Sequence, residues 1–386
     1  MNQDKYILKA PDSLASPALL VYRELVEENI RTMLNMAGGP QRLMPHVKTH
    51  KMAPVVQMQL KHGITRFKCA TFAEAQMLAE CGVADVLMAY QLNSPTAEAF
   101  AELTVRFPKT KFASTVDNIA SAQLLNKIFE QLHNSRKPIG FSQQGGGAPR
   151  QAEVYVDVDN GMHRTGIAPE ATKALYLQLQ QLPYVHVRGL HAYDGNIRET
   201  DMALRTQQCN DAFAPVAALA EALGNPEVVA GGSPTFPIHL QRANVICSPG
   251  TCILWDEGYR SSLPEQHFTP AAILLTRVIS KPQEGHITLD LGHKAVSAEN
   301  PIGKRVFFHQ LPEYEVISQS EEHLVVKTPA AAHLQVGDVL YGTPWHVCPT
   351  VALYNEARII SNGLHADTWP IARGRRIIGS TQFSTT

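Results

Sequence analysis

The sequence has no excess of either charge. It carries 34 lysines and arginines against 35 aspartates and glutamates, a formal net charge of −1 over 386 residues. That balance offers no charge excess to argue for nucleic acid or for an acidic membrane surface as a partner. No apolar run is long enough to span a bilayer. There is no CxxC pair: Cys69, Cys81, Cys209, Cys247, Cys252 and Cys348 are scattered. In a chain of this size that pattern favours a reducing cytoplasm over a disulfide framework, with most thiols buried as small hydrophobes. The opening residues, Met1-Asn2-Gln3-Asp4-Lys5-Tyr6, lack the basic-then-apolar pattern of a secretory signal. No internal repeat longer than one strand-plus-helix unit is present.

What is present is alternation. Short apolar runs at Ala18–Tyr22, Leu43–Lys48, Arg66–Ala70, Asp85–Tyr90, Lys111–Val116, Glu153–Val158, Val185–Leu190, Glu227–Ala230 and Ala243–Cys247 read as strands. Helical spacing fills the gaps between them, as at Glu24–Met36, Pro54–His62, Phe72–Cys81 and Thr200–Leu223. Asp117 reads as the cap of a helix that runs to about Leu132. Ile139–Arg150, with Gly145-Gly146-Gly147, reads as a surface loop because a strand follows it. Strand then helix about eight times is the arithmetic of a (β/α)8 TIM-type barrel. An open doubly wound sheet is the alternative. From Phe268 the helical spacing stops and short β runs take over, which predicts a C-terminal all-β domain. The expected boundaries are 18–262 for the barrel and 263–386 for the β domain, joined by residues 1–17.

A barrel places its chemistry at the C-terminal ends of its strands. If Leu43–Lys48 is a strand, His46 and Lys48 share a face, and an inward lysine needs a partner or a task. The bland reading is a solvated basic loop. Later strands run out into Asn160-Gly161-Met162-His163-Arg164-Thr165-Gly166, His191-Ala192-Tyr193-Asp194, Gly231-Gly232-Ser233-Pro234-Thr235 and Ser248-Pro249-Gly250-Thr251. Taken singly, Arg164 could bridge loop carboxylates, Tyr193 could be a core tyrosine and Gly231-Gly232 a plain turn. Together, one lysine, one arginine, one tyrosine and two late glycine/hydroxyl loops suit a phosphorylated cofactor held by a lysine Schiff base. A second constellation, His346-Val347-Cys348, reads as extended, with imidazole and thiolate on one face. Both are ligands for a zinc-like metal, and two ligands leave positions open for water or substrate. A buried cysteine beside an incidental histidine is the alternative.

Pro45-His46-Val47-Lys48-Thr49-His50-Lys51, the Asn160–Gly166 stretch, Gly231–Thr235 and Pro249-Gly250-Thr251 resemble the D-threonine aldolase and D-serine dehydratase family. These are fold-type III pyridoxal phosphate enzymes with an alanine-racemase-like barrel and a β domain. The match covers nearly the whole chain, and the motifs fall in the family's order. The resemblance implies pyridoxal 5'-phosphate on Lys48, which then acts as base at the α-carbon, with His46 lining the pocket. It implies Arg164 at the phenolic oxygen or substrate carboxylate, Tyr193 at the ring, and Ser233, Thr235, Gly250 and Thr251 at the phosphate. It implies a divalent metal, Zn or Mn, on His346 and Cys348, acting on the β-hydroxyl of a D-amino acid. Lys51 and His50 are expected to be support. The sequence departs from the family at Met44 and at Ser248, where arginine is common. The second departure bears on how the pyridine nitrogen is held.

Two reactions then remain open: aldol cleavage to glycine and an aldehyde, or dehydration to a keto acid and ammonia. Cys348 leans slightly towards zinc and dehydration. A racemase, with Tyr314 or Tyr341 of a partner subunit's β domain as a second base, and a non-catalytic pyridoxal phosphate carrier are the other readings. The expected molecule is cytoplasmic, and the resemblance implies a head-to-tail homodimer.

Overall fold

The computed structural model describes residues 3–134 and 150–373. Most of the loop expected at 139–150 therefore lies outside the described residues. The chain forms two compact units: one comprises Met36–Val47 and Gln59–Gly250, the other the residues up to Asn35 together with Lys48–Met58 and Thr251–Arg373. No helix among the described residues is long and apolar enough to cross a membrane.

The strand β1 (Ala18–Tyr22) takes no part in the barrel. The barrel is made by β2 (Arg66–Cys69), β3 (Asp85–Gln91), β4 (Lys111–Val116), β5 (Ala152–Val158), β6 (Val185–Ala192), β7 (Glu227–Ala230) and β8 (Val245–Cys247), all parallel and paired in sequence order. The Leu43–Val47 segment supplies the missing stave. Met44 N–H donates to Cys247 O at 2.9 Å on one side, and Val47 N–H donates to Lys68 O at 2.9 Å on the other. The ring is closed by single bridges at Leu43 and His46 rather than by a full strand. Pro45 interrupts any longer ladder, because it has no N–H to give. The alternation thus yields nine strand-like runs for eight staves, and β1 is the one that leaves. Inside the barrel Met44, Leu87, Ala113, Tyr155 and Val229 pack as one buried cluster, so the interior is a core and not a pore.

The N-terminal ends of the strands are tied by charge. Arg66 Nε meets Asp85 at 3.0 Å, and Arg66 Nη1 meets Glu227 at 2.7 Å. Arg188 holds Asp85 at 2.6 Å and Glu153 at 3.2 Å. Burial opposes ionisation of Asp85 and Glu227. The bonds and charges from Arg188 and Arg66 for Asp85, and from Arg66 and Tyr155 for Glu227, outweigh it and hold both carboxyls below their ordinary values. A depressed folded-state pKa stabilises above the unfolded value and is lost as pH falls through the folded one. Denaturation midpoints should therefore hold from neutrality down to about pH 4.5 and fall below it, from the ordinary 4.5 of Glu227 through the 3.8 of Asp85 and on to their lowered values. Asp85→Asn should cost about 3 kcal/mol and flatten that acid limb. A pH-independent loss of stability in the variant would rule this linkage out.

The second unit holds β9 (Ala272–Ser280), β10 (His286–Leu289), β11 (Val306–Phe308), β12 (Glu315–Gln319), β13 (Leu324–Lys327), β14 (Val339–Pro344), β15 (Glu356–Ser361) and β16 (Leu364–Pro370). Their order is β12-β13-β10-β9-β1-β15-β16, with β14 also on β9 and β11 on β14. β1 sits at the centre, antiparallel to β9 and parallel to β15, and all five of its residues are buried. Burial on both faces explains why its unbroken apolar run reads like a barrel strand. Tyr6, Leu8 and Leu14 join its core with Leu20, Ile273 and Ile360. β11, β15 and β16 are absent from the sequence reading; in β16 only Trp369 of Leu364–Pro370 is buried, so no apolar pattern marks it. A short helix, Val347–Val351, also interrupts this unit. The first turn of the barrel helix Ile119–Asn134 takes its side-chain cap from Asn118, whose Oδ1 accepts from Ser121 N–H at 2.9 Å, and not from Asp117.

Candidate active site

The barrel's C-terminal end carries buried polar groups where an apolar strand end would be cheaper. Lys68 is 2% exposed, and its Nζ lies 3.4 Å from His191 Nε2. His191 Nδ1 lies 2.7 Å from Asp157 Oδ1, and Asp157 Oδ2 accepts from Gln91 at 2.7 Å and Thr165 at 2.9 Å. A carboxylate only accepts, so Nδ1 carries the ring proton and Nε2 offers a lone pair to Lys68. His191 is held below its ordinary pKa by burial first, then by the charges of Lys68 and Arg164, against the opposing pull of Asp157. Arg164 and Lys68 both approach the Tyr193 ring, at 5.0 and 5.6 Å from its centre. Arg164, Thr165, Met162, Asp157 and Tyr193 line a cavity. Gly195 lets this ring lie where it does, since a Cβ there would meet it at 2.5 Å.

Of the residues marked in the sequence, this unit holds His46, Arg164, Tyr193, Ser233, Thr235 and Gly250. His46 is 7% exposed, and its N–H donates to Pro249 O at 2.9 Å. Ser233 Oγ accepts from Gly250 N–H at 3.3 Å, so the two late loops are joined. Ser248, at the departure from the family pattern, turns its hydroxyl to Met44 O at 2.9 Å and so ties the closing stave. Lys68, His191, Asp157 and Gln91 were not singled out by sequence. The available signal was a charged residue inside an otherwise apolar run, at Lys68 and at Asp157.

The other unit holds Lys48, Thr251, His346 and Cys348. His346 is extended but Cys348 is not. His346 precedes the Val347–Val351 helix with φ −131° and ψ 107°, and Cys348 lies in its first turn. The fold still brings their side chains together. Burial resists the Cys348 thiolate, but His346, the Thr49 hydroxyl at 3.2 Å and the charge of Lys48 outweigh it and lower its pKa. Burial likewise opposes charge on His346, whose pKa is nonetheless pushed up to about 9 by Cys348, Glu299 and Asp256. Thr251 Oγ1 also reaches Cys348 Sγ, at 3.6 Å. Asp256 clamps the segment between the pair, accepting from Val347 N–H at 3.0 Å, and burial raises its pKa to about 6. His50 is neutral support: burial and the charge of Lys51 lower it to about 3, and its Nδ1 accepts from Met52 N–H at 3.1 Å. Lys51 takes a left-handed φ of 54° and gives its carbonyl to Ala372 N–H at 2.7 Å.

Residues 21–256 match the family described as "Alanine racemase, N-terminal domain", and residues 271–360 the "Putative serine dehydratase domain". The chain belongs to the alanine racemase N-terminal domain family. Within it, the chain is 27% identical over 373 residues to D-threonine aldolase of Arthrobacter sp, covering 93% of each. It is 22% identical to D-threo-3-hydroxyaspartate dehydratase of Delftia sp., over 94% of this chain and 98% of that one. The crystal structure of D-threonine aldolase from Filomicrobium marinum superposes with a TM-score of 0.80 at 23% identity, covering 95% of this chain and 96% of the other. The barrel with its added β domain is thus this family's fold.

Proposed function

We propose that this protein is a pyridoxal-phosphate-dependent, metal-assisted lyase that acts on β-hydroxy-D-amino acids. The observation that carries the reading is the pair His346 and Cys348, set beside Thr49, with the Cys348 thiol held below its ordinary pKa by His346, Thr49 and the charge of Lys48. A soft sulfur and an imidazole nitrogen fit a zinc-like divalent ion with positions left open, and zinc is the metal we assign. The other unit fits an anionic aromatic cofactor: two cations on a tyrosine ring, and serine and glycine donors joined across two loops.

Pyridoxal phosphate, when bound, supplies an electron sink for charge at the substrate α-carbon. Lys48 is the residue that would hold it covalently and move the α-proton. Arg164 would bind an anionic oxygen, Tyr193 would lie at the ring beside His46, Ser233, Gly250 and Thr251 would serve the phosphate, and Thr235 would shape the loop that holds it. His346 and Cys348 would hold the metal against the substrate β-hydroxyl. We also assign a cytoplasmic homodimer. All six cysteines are free thiols, which suits a reducing compartment.

The racemase reading is disfavoured by the two tyrosines it would use. Tyr314 donates to Val306 O at 3.0 Å, and Tyr341 accepts from Leu8 N–H at 3.1 Å, so each is engaged in its own unit. Relatives named aldolase and dehydratase lie on both sides of the remaining choice. Product analysis with D-threonine and D-serine decides it. Glycine with acetaldehyde marks cleavage, and keto acid with ammonia marks dehydration. Racemised D-alanine with neither product would sink the lyase reading.

A further inference from the structure

Behind the Gly231–Thr235 loop lies a buried cluster that the proposed chemistry does not use. Asp194, Cys209 and His239 bring a carboxylate, a thiol and an imidazole within metal-ligand range of one another. The hydrogen bonds argue against an ion there. Arg242 Nη1 lies 2.9 Å from His239 Nδ1, and a guanidinium can only donate. The ring proton must therefore sit on Nε2, which points at Asp194 Oδ2 at 2.7 Å. The nitrogen that would face a metal is the one that is protonated. Burial first, then the charge of Asp194, pushes the Cys209 thiol up to about 12, so it stays a thiol.

The same bonds continue into the loop. Asp194 Oδ1 accepts the Thr235 hydroxyl at 2.8 Å, and Thr235 Oγ1 accepts Gly232 N–H at 3.2 Å. Asp194, Thr235 and His239 are all 2% exposed or less. Each link has one direction: Arg242 to His239 to Asp194 from one side, Gly232 to Thr235 to Asp194 from the other. The Asp194 carboxylate is thus bonded by His239 on one side and by Thr235 on the other. His239 also packs on Gly231, whose φ is +82° and where a Cβ would meet the ring at 2.7 Å.

We infer that Arg242, His239 and Asp194 form a tautomer-locked strut that sets the Gly231–Thr235 loop in its phosphate-binding shape, with His239 a positioning residue and Thr235 acting through its inward hydroxyl rather than by donating to the phosphate. This rests on the pyridoxal phosphate reading above. The strut acts on the phosphate end alone. Its loss should therefore discriminate pyridoxal phosphate from pyridoxal, which is the same aldehyde without the phosphate.

The test titrates both compounds into purified full-length protein and reads dissociation constants from visible absorbance. His239→Phe keeps a ring against Gly231 and removes the donor. It should weaken pyridoxal phosphate about 10- to 100-fold, the worth of a hydrogen bond to a charged group, with pyridoxal within about twofold of wild type. His239→Gln places an N–H where Nε2 stands and should restore most of the loss. Thr235→Val should show the same phosphate-selective loss, a second measurement if His239→Phe does not fold. Cys209→Ser should change neither constant. Equal loss of both compounds, or no rescue by His239→Gln, overturns the inference. So does one equivalent of bound zinc that disappears in Cys209→Ser. Wild type that takes up no pyridoxal phosphate overturns the cofactor reading and this inference together; wild type that does, with an unselective His239→Phe, overturns this inference alone.

Discussion

Lys48→Ala should give a protein without visible cofactor colour, and its lyase turnover should fall by on the order of 10²–10⁴-fold, the range for removing a positioned base. Two things are lost at once: the amine that would condense with the cofactor aldehyde, and the group that would move the α-proton. The side chain also has an electrostatic task, since its charge helps lower the pKa of Cys348. Lys48→Arg separates these roles. It keeps a cation in place but offers no condensing amine, so it should stay colourless and inactive while still binding metal. Metal content near wild type in the arginine variant and reduced in the alanine variant would assign Lys48 both tasks. A coloured, active Lys48→Ala removes it from the chemistry altogether.

Chelation should silence the enzyme and leave its colour intact. The metal is assigned to His346 and Cys348, and the cofactor to other residues, so the two losses should separate. A Lewis acid at the β-hydroxyl supplies several kcal/mol, which is a drop of more than about a hundredfold. Cys348→Ala should reproduce it, with normal cofactor absorbance and no recovery on adding zinc. The chelated wild type should recover with zinc. Cys348 is the more telling of the pair, because Thr49, Thr251 and His346 all converge on its sulfur. Full turnover after verified metal removal would show that the pair is structural.

The barrel was legible because seven of its strands are short apolar runs separated by helical spacing, and that periodicity is local. The eighth stave was read as a strand at Leu43–Lys48, and the structure makes it one only in part. Pro45 and the lone bridges at Leu43 and His46 make it a seam rather than a ladder. The opposite error arose at β1. An unbroken apolar run says that both faces are buried, and it does not say in which sheet. The proposed metal pair was read from a pattern of two residues; His346 keeps the expected extended backbone, while Cys348 lies in a helix that begins at Val347. Lys68 and Asp157 carried no assigned role because each is ordinary alone, and His191 was noted only as part of a strand end. Their role becomes visible only when the barrel brings side chains of β2, β5 and β6 together.

The sequence by itself determined the alternating barrel, the change of texture near Phe268, the lysine after Val47, the late glycine loops and the His-x-Cys pair. These depend on residue type and on spacing along the chain. Only the tertiary structure decided that β1 belongs to the second sheet, that Lys48 and Cys348 lie in one compact unit, and that His239 carries its proton towards Asp194. The reason is that charge state and tautomer are set by neighbours. In the Asp194 cluster Arg242 is only three residues from His239, but Asp194 is 45 away, and Thr49 and Cys348 are 299 apart; the long separations lie beyond the reach of any local pattern.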